Sequence, residues 1–363
     1  MKPRSIAVAI ACGAVGAVAG LAAVAGVIYR KQIKSAASLK RLTDYADGYD
    51  LYAIDIAYDY DLDRIIAADV RDDQAYIDAA VAQVLPGVPA HVRAPQFACS
   101  AFAAVDAEGR VRTGRNYDFK DDTSALLVRN HPRDGYASIG FAALNNLGAN
   151  APLDSVAGRA AALMGPFAQL DGVNECGVSI AVLTLDSKPC EQDTQRPVIN
   201  TSLAIRLVLD RAATTQEAVD LLSAYDMHAM AGRDYHFFIN DAAGDACVVE
   251  WDPRDPDRAF KATPVRQVTN FYACYEDEVL PNQKNGELGH GKERALAIAD
   301  VLDAHAGAQD EAVAWKALRA AAQEPNPEDI TSNTQWSVVF DNTEPAAAIT
   351  LRRHWGDVDA FAL

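Results

Sequence analysis

Residues 99–119, CSAFAAVDAEGRVRTGRNYDF, decide how the rest of the chain is read. Two halves with strand character flank Asp106-Ala107-Glu108-Gly109, a turn signal, so the stretch predicts a β-hairpin. Closing the hairpin brings Cys99 towards Arg115, sixteen residues on, and Asp118, nineteen on. A thiol is a poor nucleophile until it ionises; a guanidinium beside it favours the thiolate, and a carboxylate can hold a neighbouring amine in place. Ninety-eight residues precede this cysteine, which makes most chemical sense as a chain N-terminus. A free α-amine has a pKa of roughly 7.7 to 8.0, suited to a general base at neutral pH, and it lies one bond from the cysteine Cα. No separate histidine is then required. The competing reading is an inert, buried strand cysteine with Arg and Asp at the surface.

Further motifs follow in order: Asp171-Gly172-Val173-Asn174-Glu175, Tyr235-His236-Phe237-Phe238-Ile239, Val268-Thr269-Asn270, Glu293-Arg294 and Thr334-Gln335-Trp336. With Cys99 and Arg115-Asn116-Tyr117-Asp118, this series resembles the choloylglycine hydrolase and penicillin V acylase family of linear amide C–N hydrolases. These are N-terminal-nucleophile enzymes with acid-ceramidase-like relatives, and the likeness covers about residues 99–350. It implies that Cys99 is the nucleophile, Arg115 and Asp118 its partners, Asn270 an oxyanion donor and Arg294 an electrostatic support. It also marks Asn174 and Thr184 as substrate-binding positions. Ten residues after the motif asparagine, bile-salt hydrolases carry Asn and penicillin acylases often Tyr; Thr184 stands there in this chain. The interval from Asn270 to Arg294, 24 residues, lacks the long insertion that serves tetramer assembly in bile-salt hydrolases. Together with the long leading segment, this resembles the acid-ceramidase and acyltransferase branch.

Composition sets outer bounds. The chain has 363 residues, half of them hydrophobic, enough for a sizeable core. A net charge of −17, with no basic stripe, argues against nucleic acid as a partner. Six cysteines, at 12, 99, 176, 190, 247 and 274, form no CxxC pair, so neither a zinc cluster nor a disulfide scaffold is indicated. Cys176 and Cys190 could pair, but free thiols are the preferred reading.

Residues 5–29 carry no charge and are flanked by Lys2, Arg4, Arg30, Lys31 and Lys34, a length that spans a bilayer. An uncleaved anchor is preferred, with the body outside the cytoplasm; the rival is a secreted protein whose signal is removed near Ala23-Val24-Ala25. From 42 to 90, an Asp- and Tyr-rich stretch alternates apolar and acidic residues over 54–63. A helix follows, with Ile77, Val81, Val84 and Leu85 on one face. Asp59-x-Asp61-x-Asp63 has Arg64 and Val70 where an EF-hand loop needs Gly and Glu, so calcium is set aside. The near-P-loop at 286–292 has Glu293 in place of Ser or Thr and no preceding apolar strand, so nucleotide is set aside too.

Downstream, a mixed stretch spans 121–169 and an apolar strand 178–185; helices are expected at 201–212 and 215–225, the second with a capping box at Thr214 and Glu217. A hairpin is expected over 235–251, helices at 292–306 and 310–323, and strands at 336–341 and 347–353. A strand histidine between apolar residues, as at His236, reads as structural. Strand pairs bracketing helices suit packed sheets with helices outside, which the resemblance makes an α+β, four-layer αββα sandwich.

The expected organisation is a signal anchor over 1–34, a prosegment over 35–98 and an N-terminal-nucleophile amidase domain over 99–363. The expected activity is hydrolysis of a linear non-peptide amide through a thioester, after autocatalytic cleavage before Cys99. The substrate is a small-molecule amide with a hydrophobic acyl group, and neither metal nor organic cofactor is expected. Acyl transfer from the same thioester, and a catalytically inactive membrane-tethered binding protein, are the alternatives.

Overall fold

The computed structural model describes residues 29–85, 98–148, 153, 155–282, 286, 288–326 and 333–363. Nearly all of the expected membrane anchor lies outside these residues, and no helix among the described residues is long and apolar enough to cross a membrane.

Two sheets dominate. One has nine strands in the spatial order Lys40–Arg41, Leu51–Ile56, Ala125–Asn130, Ser138–Ala143, Gln169–Asn174, Ser179–Leu185, Asp234–Asn240, Ala246–Trp251 and Phe260–Pro264. The other has six, in the order Gln267–Val268, Ala98–Val105, Val111–Asp118, Thr334–Asp341, Ala346–Leu351 and Asp359–Ala362. Neighbours are antiparallel except Leu51–Ile56, which pairs parallel with Ala125–Asn130. The expected hairpin is present, its register running from Ala98↔Asp118 to Val105↔Val111.

Side chains alternate across a strand, so parity sorts the hairpin's residues between two environments. Cys99, Ala101 and Ala103, with Tyr117, join the large core between the sheets. Phe102 and Ala104 point the other way, onto a second core with Ile298, Leu302, Val313, Ala314, Ala317 and Leu318 from helices Lys292–Asp303 and Glu311–Ala321. Gly114 is required here: a Cβ would lie 2.2 Å from the Phe102 ring. Helices Thr201–Arg211 and Thr215–Ser223 cover the nine-stranded sheet, completing the order helices, sheet, sheet, helices. Thr214 caps its helix by accepting from the Glu217 N–H at 3.1 Å, while the Glu217 carboxylate reaches Ala213 N–H at 2.8 Å, one residue before the cap. The described cysteines, Cys176 and Cys190 among them, are free thiols.

The segment before the hairpin is built into this core. Leu51–Ile56 contributes a strand, and Leu51, Ile54, Ile65, Ala80 and Val84 are buried in the main core. Tyr76 Oη donates to Phe167 O at 2.8 Å, Tyr58 Oη to Leu163 O, and Asp50 N–H to Ser124 Oγ at 2.9 Å. The apolar–acidic alternation over 54–63 spans the end of this strand, a connector and the start of the short helix Leu62–Ile66, whose N-cap Asp61 accepts from Arg64 N–H.

Candidate active site

Arg115 and Asp118 are three residues apart on one strand, so they leave it on opposite faces. Arg115 shares the inter-sheet face with Cys99; its Nη1 donates to Cys99 Sγ at 3.1 Å. The guanidinium is held from the far side by Asp171, whose Oδ2 lies 2.6 Å from Nε, and both side chains have no exposed surface. Arg115 also donates to the carbonyls of Asn116 at 2.7 Å and Val182 at 3.1 Å. Asp171 in turn accepts from Trp336 Nε1 at 3.2 Å and from Phe141 N–H at 3.2 Å. Burial pushes the Asp171 carboxyl up to about 6 while Arg115 pulls it down. The Asp171 motif stands out in the sequence, but no local signal assigns Asp171 a role, because its partner Arg115 lies on a strand of the other sheet.

Asp118 serves the main-chain side. Its Oδ1 accepts from Thr334 Oγ1 at 2.6 Å; its Oδ2 accepts from Gln323 Nε2 at 2.8 Å and from Arg294 Nη1 at 3.4 Å. Burial raises its carboxyl, and Arg294 is the largest opposing influence. Arg294 spans three of the expected site residues, donating to Cys99 O at 2.9 Å and to Asn270 Oδ1 at 2.7 Å as well as to Asp118. Gly291 makes room for it: with φ +84°, it caps helix Lys292–Asp303, and a Cβ there would sit 2.4 Å from Arg294 Nη2.

Asn270 completes the set. Its Oδ1 accepts from the Cys99 backbone N–H at 2.9 Å and its Nδ2 donates to Thr184 O at 2.8 Å. The two donors fix which end of the amide is oxygen, and the amide N–H2 faces Thr184. The Thr184 hydroxyl is buried and has no hydrogen-bond partner among the described residues.

Thus Cys99, Arg115, Asp118, Asn270 and Arg294 converge, with Thr184 joined through its carbonyl. Asn174 does not join them. It donates to Leu209 O and Ala212 O and accepts from Cys176 and Val178 N–H, tying a strand turn to the end of helix Thr201–Arg211.

Cys99 is fully buried, and burial pushes its thiol up to about 11, outweighing the Arg115 charge that draws it down; the Asp118 charge pushes it up as well. No group of three or more His, Cys, Asp or Glu among the described residues is placed to hold a metal ion.

The model of the acyl-coenzyme A:6-aminopenicillanic acid acyl-transferase family matches residues 105–354. The chain belongs to this family. The match opens six residues after Cys99 and takes in Arg115, Asp118, Asn270 and Arg294. Conjugated bile acid hydrolase from Clostridium perfringens is similar in structure, with a TM-score of 0.56 at 15% identity over 73% of this chain and 92% of that one. Penicillin V acylase from Agrobacterium tumefaciens is similar at a TM-score of 0.52 and 20% identity, over 73% and 86%. The chain therefore shares the α+β fold of these two proteins. No curated protein matches the sequence.

Proposed function

We propose that this family member is a cysteine amidase that cuts its own chain between Ala98 and Cys99 and then hydrolyses a linear, non-peptide amide. The observation that carries the reading is the convergence on one cysteine of a guanidinium 3.1 Å from its sulfur, an asparagine oxygen 2.9 Å from its nitrogen and an arginine 2.9 Å from its carbonyl. A buried structural cysteine calls for none of these.

In the proposed cycle, the α-amine released by cleavage takes the thiol proton and Arg115 stabilises the thiolate. Sulfur attacks the amide carbonyl; the tetrahedral oxyanion collapses, the C–N bond breaks and the ammonium returns its proton to the leaving amine. Water, deprotonated by the same amine, then hydrolyses the thioester to a carboxylic acid and restores the thiol. Arg294 and Asp118 hold the Cys99 main chain in place. Asn270 supplies the amide donor for the oxyanion by turning its N–H2 from Thr184 once the Cys99 nitrogen is freed.

The favoured substrate is a hydrophobic acyl group on a small polar amine, delivered to an enzyme tethered by residues 5–29 with its body outside the cytoplasm. Each buried CH2 of the acyl chain contributes roughly 0.8 kcal/mol, so kcat/KM rises with acyl length. The test compares N-acyl amides of increasing length with conjugated bile salts and penicillin V, using cleaved enzyme. A flat dependence on length, or a preference for penicillin V, overturns the substrate choice; no turnover of any amide overturns the amidase reading. The family's acyl-transferase description favours a second reading, in which an amine rather than water takes the acyl group. Product analysis with and without an added amine separates the two.

A further inference from the structure

Asn270 sits just beyond a strand too short to place it. Gln267–Val268 pairs with the hairpin only through Gln267↔Phe102 and Val268↔Ala101, and the chain then turns into the 3-10 helix Ala273–Glu278. Asn270 is held from two sides: residues 288–290 pair with its backbone, His290 N–H donating to Asn270 O at 2.7 Å and Tyr272 N–H to Leu288 O at 2.9 Å, and a second set of contacts comes from the other sheet. His236 and Glu250 stand opposite each other on adjacent strands, one step beyond the Phe237↔Val249 pair, and neither has any exposed surface. His236 Nε2 lies 3.0 Å from Thr269 O, and Nδ1 lies 3.3 Å from Glu250 Oε2. The Glu250 carboxylate accepts from Ala273 N–H at 3.0 Å and from Cys274 N–H at 2.7 Å. The pair therefore grips the backbone on both sides of Asn270.

The partners also define what the pair must bind. The two ring nitrogens of His236 face Thr269 O and Glu250 Oε2, and both Glu250 oxygens accept backbone N–H groups, so every polar atom of the pair has a partner. Burying such a pair carries a large desolvation cost, and apolar residues of similar volume often stabilise a fold as well or better. An apolar pair, however, could not bind Thr269 O and the two N–H groups.

We propose that His236 and Glu250 are positioning residues for the chemistry at Cys99: together they clamp residues 269–274 and so hold the Asn270 side chain against the Cys99 nitrogen. This rests on the amidase reading for its catalytic consequence, while the clamp itself is testable without turnover. Two variants of the full-length protein separate positioning from folding. Glu250→Gln keeps the volume and the His236 to Thr269 bond; the pair His236→Leu with Glu250→Met removes the polar atoms and keeps the packing. Each is followed by hydrogen–deuterium exchange of peptides covering 269–280, with 111–118 as internal control, and by kcat and KM on penicillin V.

The expected result is exchange at least tenfold faster in 269–280 with 111–118 unchanged, and kcat at least tenfold lower with KM within twofold. Unchanged exchange in 269–280 in a folded variant overturns the clamp. Faster exchange with unchanged kcat overturns its catalytic consequence. Loss of the native fold in both variants makes the pair a folding element and also overturns the proposal. If wild-type enzyme does not turn over penicillin V, that substrate fails, and exchange still decides the clamp.

Discussion

The Cys99 backbone N–H donates to Asn270 Oδ1 at 2.9 Å, and the same oxygen accepts from Arg294 at 2.7 Å. Asn270 thus holds the nitrogen that serves as catalytic base in the proposed mechanism, and Arg294 holds Asn270. Asn270→Ala removes both bonds and leaves the Cys99 N–H and the Arg294 guanidinium short of a partner. Self-cleavage is expected to slow by roughly thirtyfold to two-thousandfold, the neutral bond contributing about 0.5–1.5 kcal/mol and the charge-assisted one about 1.5–3 kcal/mol. A time course of cleavage after refolding measures this, and an unchanged rate contradicts it.

Arg115 and Asp171 form a wholly buried pair, so removing one partner affects more than the thiol. Arg115→Ala leaves the Asp171 charge uncompensated and is expected to destabilise the fold by about 3–5 kcal/mol as well as abolish turnover. The loss of kcat and the loss of stability therefore travel together at this position. By contrast, Asp118→Asn keeps its shape and its Thr334 contact, and is expected to reduce kcat by far more than it lowers Tm. Paired thermal melts and kinetics of the two variants check the contrast.

Asp171 also gives a pH dependence with a definite sign. Its carboxyl is pushed up to about 6 in the folded chain, against about 3.9 in an unfolded one. Between these values the native state binds more protons than the unfolded state, so the Asp171 contribution makes stability fall as pH rises from about 4 to about 6. Activity moves the opposite way, because only ionised Asp171 anchors Arg115 beside the sulfur. An acid limb in kcat near pH 6 is expected for wild type, and its disappearance in Asp171→Asn, together with a lower plateau. Retention of the same limb in that variant contradicts the assignment.

The proposed cleavage before Cys99 would not dismiss the leading segment. Leu51, Ile54, Ile65 and Val84 are buried, and burial of each such side chain contributes on the order of 1.5–3 kcal/mol. Strand Leu51–Ile56 also pairs with Ala125–Asn130 along its length. The fragment ending at Ala98 is therefore expected to co-elute with the Cys99 fragment in native size exclusion and to separate only in denaturant. An active Cys99 fragment eluting alone would contradict this.

Much of this layout was legible in the sequence where local chemistry is distinctive. The turn at Asp106 to Gly109 gives the hairpin, and the three-residue spacing of Arg115 and Asp118 already dictates opposite faces. Two strands of the 121–169 stretch, Ala125–Asn130 and Ser138–Ala143, were not legible because both their faces are buried and no polar alternation marks them. Leu51–Ile56 was not legible as a strand, because five of its six residues are buried and only Asp55 interrupts the apolar run. His236 read as an ordinary buried residue, since its partners are fourteen residues along, on the neighbouring strand, and thirty-three along, at Thr269. Such partnerships depend on strand register and on the closing of one sheet over another, which local pattern does not encode.

The central claim is that Cys99 becomes the N-terminus of the working enzyme by its own attack on the preceding peptide carbonyl. Intact mass and N-terminal sequencing of purified wild-type protein and of Cys99→Ala test it most directly. The account predicts a wild-type chain that begins at Cys99, accompanied by a bound fragment ending at Ala98, and a single uncut chain for Cys99→Ala. Amidase activity from a wild-type chain with no Cys99 terminus, or cleavage at that bond in Cys99→Ala, would contradict it.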